Sequence, residues 1–345
     1  MMRTVTSAWT ILVAALISTS ATATSPQVRW FVSGIGGGIV YSTESAEVSF
    51  LATNPVSDGF IDCCSILRIN GTGALVSQPV NQSAVSAVHA SGRTALAVID
   101  GLNDACASFP RPCAIWENRE QLSSDLAAYA VENGLDGFSL DWEFGGSFDW
   151  RKFDLTWKFI ADQLRSHNIT VDVCINSVVE SKSWAKGSDP SANPYFRDYS
   201  WADRVTDMGT YALCVDNNCT DEQRAYNLTQ NLEVYKPKST DTSGWAGGLQ
   251  GRSVNLVTLG NYRTDQLSPG LWLSNDCAPT GVEGQTSTKG WTAASLRAFL
   301  ADAHGQGIRS VDIWCGLMPD ALPDLPCPTC PWVYTELARW KALGS

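Results

Sequence analysis

Eight short apolar runs recur along the chain with amphipathic stretches between them, and this alternation restricts the fold more than any other feature. The runs occupy 28–35, 59–69, 93–100, 136–143, 169–176, 203–211, 253–260 and 308–316, and each has the length and β-branched content of a strand. Leu122, Leu126, Tyr129 and Ala130 share one helical face over 118–132, with Asn133-Gly134 as the stop. Trp150, Phe153, Trp157, Ile160 and Leu164 mark a second helix, and Leu296, Phe299, Leu300 and Ala303 a third. A last helical stretch, "WVYTELARWKAL", closes the chain. Strands joined through helices run parallel, because only a crossover can return the chain to the same edge. A doubly wound open sheet competes with a closed barrel. Eight near-regular units with one closing helix favour a single-domain (β/α)8 TIM barrel. The interval 261–307, partly helical, is too short for a large α+β insertion between the last two strands.

The N-terminus reads as a leader. Arg3 supplies a positive charge, "WTILVAALI" an apolar core, and Ala21-Thr22-Ala23 a small-residue cleavage signal. Residues 1–23 are therefore expected to be a signal peptide, leaving 24–345 as the catalytic domain, and no later run has the length of a membrane span. All eleven cysteines lie beyond residue 23. An oxidising compartment would pair them, and close spacing suggests Cys106 with Cys113, Cys214 with Cys219, and Cys327 with Cys330. Their odd number leaves a thiol over, for which Cys174, inside an apolar run, is the candidate. Three histidines without ligand spacing predict no metal, and no cofactor is expected. Sequons at Asn70, Asn81, Asn168, Asn218 and Asn227 fit a glycoprotein. The formal net charge of −11, without a Lys/Arg cluster, argues against nucleic acid as a partner. These features fit a secreted monomer, or one delivered to a lysosome or vacuole, and no membrane partner.

The run "DGFSLDWE" (136–143) poses the functional question. Period-two alternation sets Phe138, Leu140 and Trp142 on one face and Ser139, Asp141 and Glu143 on the other. Strand geometry carries the polar face into a barrel and up toward its mouth, rising about 6.7 Å per two residues. Carboxylates buried for structure need cations, yet Arg68, Arg204 and Arg309 in the other strands all sit near strand ends. Chemistry in this fold belongs at the C-terminal ends of strands, where Glu143, Tyr211 and Trp314 fall. "GIGGG" at 34–38 is not a dinucleotide fingerprint, because Ile39 occupies the third glycine position, and no G-x-S-x-G occurs.

Asp136, Gly137, Phe138, Ser139, Leu140, Asp141, Trp142 and Glu143 resemble the D-G-x-D-x-D-x-E row of glycoside hydrolase family 18, the chitinases and endo-N-acetylglucosaminidases. One position departs: Ser139 replaces the first acid of D-x-D-x-E. The resemblance implies that Glu143 is the general acid and that Asp141 binds the substrate's 2-acetamido N–H. The family is a substrate-assisted exception to the two-carboxylate rule. Geometry agrees, since Asp141 and Glu143 rise from one strand and cannot flank a sugar from opposite faces. Without a like-charged neighbour at 139, Asp141 should ionise more readily. The family's Met-x-Tyr-Asp is matched loosely by Met208 and Tyr211, with Ala212 in the acid's place and Asp207 as a substitute partner. Trp314 matches the family's tryptophan floor under the sugar, although a core role is the rival in a chain with fourteen tryptophans. Asp100 and Asn176, ending the third and fifth strands, are further substrate-binding candidates. The resemblance implies hydrolysis of β-1,4-linked N-acetylglucosamine in chitin or chito-oligosaccharides. The alternatives are cleavage of N-glycan chitobiose cores, or a silent chitin-binding lectin on the same barrel.

Overall fold

The computed structural model describes residues 25–32, 44–76, 78–100, 114–141, 150–175, 199–207, 264–273, 291–314 and 331–343. Its strands are β1 (Gln27–Phe31), β2 (Gly59–Ile69), β3 (Leu75–Val76), β4 (Thr94–Asp100), β5 (Gly137–Asp141), β6 (Thr170–Ile175), β7 (Arg204–Asp207), β8 (Leu267–Trp272) and β9 (Ser310–Trp314). Around them lie α1 (Glu44–Thr53), α2 (Gln82–Ala90), α3 (Ala114–Glu117), α4 (Arg119–Asn133), α5 (Trp150–Arg165), α6 (Ala293–Gly305) and α7 (Pro331–Ala342). The sheet order is β1-β9-β8-β7-β6-β5-β4-β2, and β1 also pairs with β2. Eight parallel strands therefore close on themselves, with β3 as an antiparallel arm on β2. This is the expected (β/α)8 barrel. Only 273–292 separates β8 from α6, which leaves no room for a large α+β insertion there.

One strand is not where the sequence reading puts it. The seventh place in the barrel belongs to β8, "LSPGLW", pairing β7 on one side and β9 on the other. The expected strand at 253–260 lies outside the described residues. Pro269 and Gly270 weaken the strand signal of β8, because proline gives no N–H to a ladder and glycine packs no side chain. Burial overrides both. α1 and α2 also went unmarked: α2, "QSAVSAVHA", buries only Ala84, Val85 and Val88, too small a stripe to stand out in sequence. The stop after α4 is as expected, with Gly134 at φ 68° in the left-handed region and Leu135 N–H donating to Ala130 O at 2.9 Å.

The outer faces of the strands form the main core with the helices: Val28, Trp30, Phe60, Ile99, Phe138, Leu140, Val171, Val173, Val205 and Ile313 are all buried there. The closing helix α7 docks on it through Tyr334, whose ring stacks on Trp30 at 5.7 Å. The inner face is divided. Phe31, Ile61, Leu96, Val98 and Cys174 make a small apolar cluster inside the barrel. Beside it lies an ionic cluster centred on Arg29. Arg29 of β1 grips Asp312 of neighbouring β9 bidentately, Nε and Nη2 each donating at 2.9 Å. Its Nη1 reaches Asp172 of β6, which is four strands away in either direction around the ring. Arg29 thus spans the barrel's diameter. Thr206 of β7 donates its hydroxyl to the same Asp312 carboxylate, and Arg204 of β7 donates to Gln27.

Cys174 is buried and in no disulfide, as expected. The three cysteine pairs proposed from spacing lie outside the described residues. Cys63 and Cys64, adjacent in β2, are joined to each other. They sit in a bulge where β2 advances from Ile61 to Ile66 while β4 advances only from Leu96 to Val98. Among the described residues no helix is long and apolar enough to cross a membrane.

Removing one partner from a buried ion pair leaves an uncompensated charge, which costs about 3–5 kcal/mol. Asp312→Ala should lower the urea unfolding free energy by that amount. Lys158→Ala, which breaks the exposed Lys158–Asp162 pair on α5, should change it by less than ~1 kcal/mol.

Candidate active site at the barrel mouth

The run 136–143 divides into a structural half and a candidate catalytic half. Asp136 precedes β5 and ties its base to the neighbouring elements. Its Oδ2 accepts from Ala95 N–H at 2.7 Å and lies 2.9 Å from His89 Nε2, while its carbonyl accepts from Thr170 N–H at 3.0 Å. At Gly137 the backbone of β6 comes so near that an added Cβ would stand 2.6 Å from the carbonyl oxygen of Thr170. The leading Asp-Gly is therefore explained by strand docking at the base of the barrel.

Ser139 and Asp141 climb the inner face, as alternation requires. Phe138 and Leu140 are fully buried in the outer core, so the intervening side chains turn inward. Ser139 is wholly buried, level with Val98 on one side and Asp172 on the other, and its hydroxyl has no hydrogen-bond partner among the described residues. Asp141 is half-buried, level with Cys174, at the C-terminal end of β5. Glu143, Tyr211 and Asn176 lie outside the described residues. Trp314 is the last residue of β9, paired in register with Phe31 and Trp272. Asp100 ends β4 on the same inner face as Leu96 and Val98, with Oδ2 3.9 Å from Nε of Arg68. Asp207 is fully buried, but it alternates with Thr206 and shares its face with Val205, which packs against the helices. That face points away from the barrel interior, so Asp207 is not placed to face a sugar in the mouth.

The sequence reading overlooked Arg29 as a buried cation, and with it the whole ionic floor. Its partners are Asp172 and Asp312, so Asp141 is not one of the carboxylates it holds. The signal was present: "VDV" in β6 and "VDI" in β9 show the same single acid between apolar neighbours that singled out Asp141. Burial opposes ionisation throughout this floor. For Arg29 it is outweighed by the charges and hydrogen bonds of Asp312 and Asp172, which raise the guanidinium above its ordinary value. For Arg204, burial and then repulsion from Arg29 dominate and push it down to about 10, still charged at neutral pH. Asp312 is held below the usual carboxylate range: burial raises it, but Arg29, Arg204 and the Thr206 hydroxyl together outweigh that. Asp172 is raised, because burial exceeds what Arg29 and Arg204 return. Among the described residues no group of His, Cys, Asp and Glu could hold a metal ion.

No family model matches the chain, and no curated protein matches it in sequence. Solved structures do match. A chitinase from Chromobacterium violaceum aligns with TM-score 0.54 at 12% identity, covering 92% of this chain and 99% of the other. The Group IV chitinase of Ostrinia furnacalis, in complex with allosamidin, gives 0.54 at 13%, covering 93% and 100%. The spore cortex-lytic enzyme SleL of Bacillus megaterium gives 0.57 at 13%, covering 90% and 73%. The fold is that of the family-18 chitinases.

The Asp172 shift has a sign that can be tested. A carboxylate raised in the folded state favours folding most below its unfolded value, near 3.8, and loses that contribution as pH rises through its folded value. Asp172→Asn keeps an acceptor for Arg29 but cannot titrate. Relative to this variant, the wild type should lose stability from about pH 4 upward, read from urea midpoints across pH. Parallel curves would show that Asp172 ionises normally.

Proposed function

We propose that the protein is a glycoside hydrolase of the chitinase type that cleaves β-1,4-linked N-acetylglucosamine by substrate-assisted, retaining hydrolysis. One observation carries the reading: Gly137–Asp141 of the D-G-x-S-x-D-x-E row form a barrel strand with Asp141 at its C-terminal end, in a barrel whose structural neighbours include chitinases. The mouth is where this fold assembles its chemistry.

In the proposed reaction the substrate's acetamido oxygen attacks C1 from within the same sugar. The C1–O bond to the leaving sugar breaks, and Glu143, two residues beyond Asp141, gives its proton to the departing oxygen. Asp141 accepts a hydrogen bond from the acetamido N–H, which aims the group and supports the positive charge that develops on it. Tyr211 would donate to the acetamido oxygen, and Trp314 would floor the sugar. The Glu143 carboxylate then takes a proton from water as that water attacks C1 and the bond from C1 to the acetamido oxygen breaks, which restores the acid and the acetamido group and leaves a β-configured product. Proximity makes the internal attack efficient, because no translational freedom is lost in the step.

Ser139 sets this site apart from the family row. The carboxylate at its level is on the next strand, at Asp172, where Arg29 already balances it. Asp141 therefore works without a second acid below it on its own strand. The leader-like sequence at 1–23 supports export, or delivery to an acidic compartment; N-terminal sequencing of protein recovered from the medium would test this.

A fluorogenic chitobioside should be turned over by the wild type, and Glu143→Gln should reduce kcat by about 10²–10⁴-fold or more while still binding chito-oligosaccharides. A variant with half its activity left would remove Glu143 from the mechanism. A wild type that binds the sugar without turnover would make the protein a lectin on the same barrel.

Ser139→Asp would set a carboxyl beside Asp141 on its strand and level with Asp172. The crowded acids should share a proton, raising the apparent pKa of the cluster and moving the pH–rate profile toward higher pH. Superimposable profiles would mean that position 139 is electrically remote from the reaction.

A further inference from the structure

The described asparagines divide by what the side-chain nitrogen does. Asn118 Nδ2 donates to Gly73 O at 3.0 Å, and Asn133 Nδ2 to Tyr129 O at 2.8 Å. Asn54 is buried, and its Nδ2 is buried with it. None of these begins an N-x-S/T sequon. Asn70, Asn81 and Asn168 each do, and in all of them Nδ2 makes no hydrogen bond among the described residues.

The sequon asparagines are held through oxygen or backbone instead. Asn70 is exposed, and its Oδ1 accepts from Thr72 N–H at 2.9 Å, Thr72 Oγ1 at 2.7 Å and Ala74 N–H at 3.1 Å. These bonds close the turn from β2 into β3. Backbone donors on that atom require it to be the oxygen, so the nitrogen is the atom left over. Asn168, also exposed, ends the turn behind α5 at φ 60°, a left-handed conformation that asparagine tolerates. Its N–H donates to Arg165 O at 3.0 Å. Asn81 differs in being half-buried. Its Oδ1 caps α2 by accepting from Ala84 N–H at 3.0 Å, and its N–H donates to Cys64 O of the β2 bulge at 3.0 Å.

We propose that Asn70 and Asn168 carry N-linked glycans and that Asn81 stays bare; this rests on the reading of 1–23 as a leader into a secretory lumen. In the transfer, Nδ2 bonds to C1 of the first sugar of a lipid pyrophosphate-linked oligosaccharide. The C1–O bond to the pyrophosphate breaks, the lipid pyrophosphate leaves, and Nδ2 gives up one proton. The amide oxygen is untouched, so every hydrogen bond that shapes the Asn70 turn survives. A glycan is bulky and hydrated, and one added to the growing chain must still find water after folding. Asn70 and Asn168 meet that condition, whereas the half-buried Asn81 opposes it. Asn70 follows the C-terminal end of β2 and Asn168 precedes β6, so the glycans stand at opposite ends of the barrel.

The test is to express the full chain in a glycosylating eukaryotic host, once with residues 1–23 and once behind an established secretion leader, and to recover it from the medium. Peptide N-glycosidase in heavy-oxygen water turns each glycosylated asparagine into a labelled aspartate, which fragment mass spectrometry locates. Label is expected at Asn70 and Asn168 and not at Asn81. A bare Asn70 or Asn168 in protein exported by the established leader would overturn the proposal, as would label at Asn81. Thr72→Ala and Thr170→Ala each remove a sequon hydroxyl and keep the asparagine, so each should lose one glycan step in gel mobility. Thr72→Ser and Thr170→Ser should keep that step, and alanine variants that do not shift would overturn the assignment. Both glycans present only with the established leader would support the sites while removing 1–23 as a leader.

Discussion

Arg29 is the interaction on which the rest of the barrel depends. It leaves β1, grips β9 beside it and reaches β6 on the opposite wall. Barrels of this class are usually filled by layers of branched apolar side chains. Here part of that packing is replaced by a guanidinium strut with two carboxylates, a threonine hydroxyl and a second arginine around it. Such a network is specific in a way an apolar layer is not. A carboxylate moved one residue along its strand would point outward into the helix layer, and the charge left behind would be unpaired in a medium that solvates it poorly. The floor therefore ties the mutual register of β1, β6, β7 and β9 to one set of contacts.

That rigidity matters for whatever happens above it. Asp141 is one inward step above Ser139 on β5, and Ser139 is level with Asp172, an end point of the strut. A family-18-like row would crowd two acids on β5. This chain instead has one acid on β5 and another on β6, the second already matched to a cation. Charge that would be shared along a strand is distributed between strands. The wholly buried Ser139 hydroxyl keeps the space polar without adding a titrating group.

The same logic separates the parts of the motif. Asp136 and Gly137 act at the base: one satisfies backbone N–H groups of the neighbouring strand, the other permits close approach of Thr170. Ser139 and Asp141 act higher up, inside the barrel. A run of eight residues that reads as one chemical signature is, physically, a docking half followed by a candidate catalytic half. The mouth continues that row onto β4 and β2, where Asp100 and Arg68 stand side by side. A (β/α)8 scaffold places such residues in register because its strands end at nearly one level.

Local pattern determined a great deal. Alternation and helical periodicity were enough for seven of the barrel strands, the α4 stop at Gly134, the closed barrel, and the inward course of Ser139 and Asp141. These are short-range properties: which side of a strand a residue faces, and where a helix must end. Three things were decided only by tertiary structure. β8 is a strand despite Pro269 and Gly270, because its place between β7 and β9 outweighs its weak intrinsic preference. Asp207 faces the helices, since a residue's side of the sheet follows from its actual register with Val205 and Thr206. And Arg29 meets Asp172 and Asp312, partners 143 and 283 residues away in sequence, only because closing the barrel brings those strands together. Periodicity can say that a side chain points inward; the closed ring alone says what it meets there.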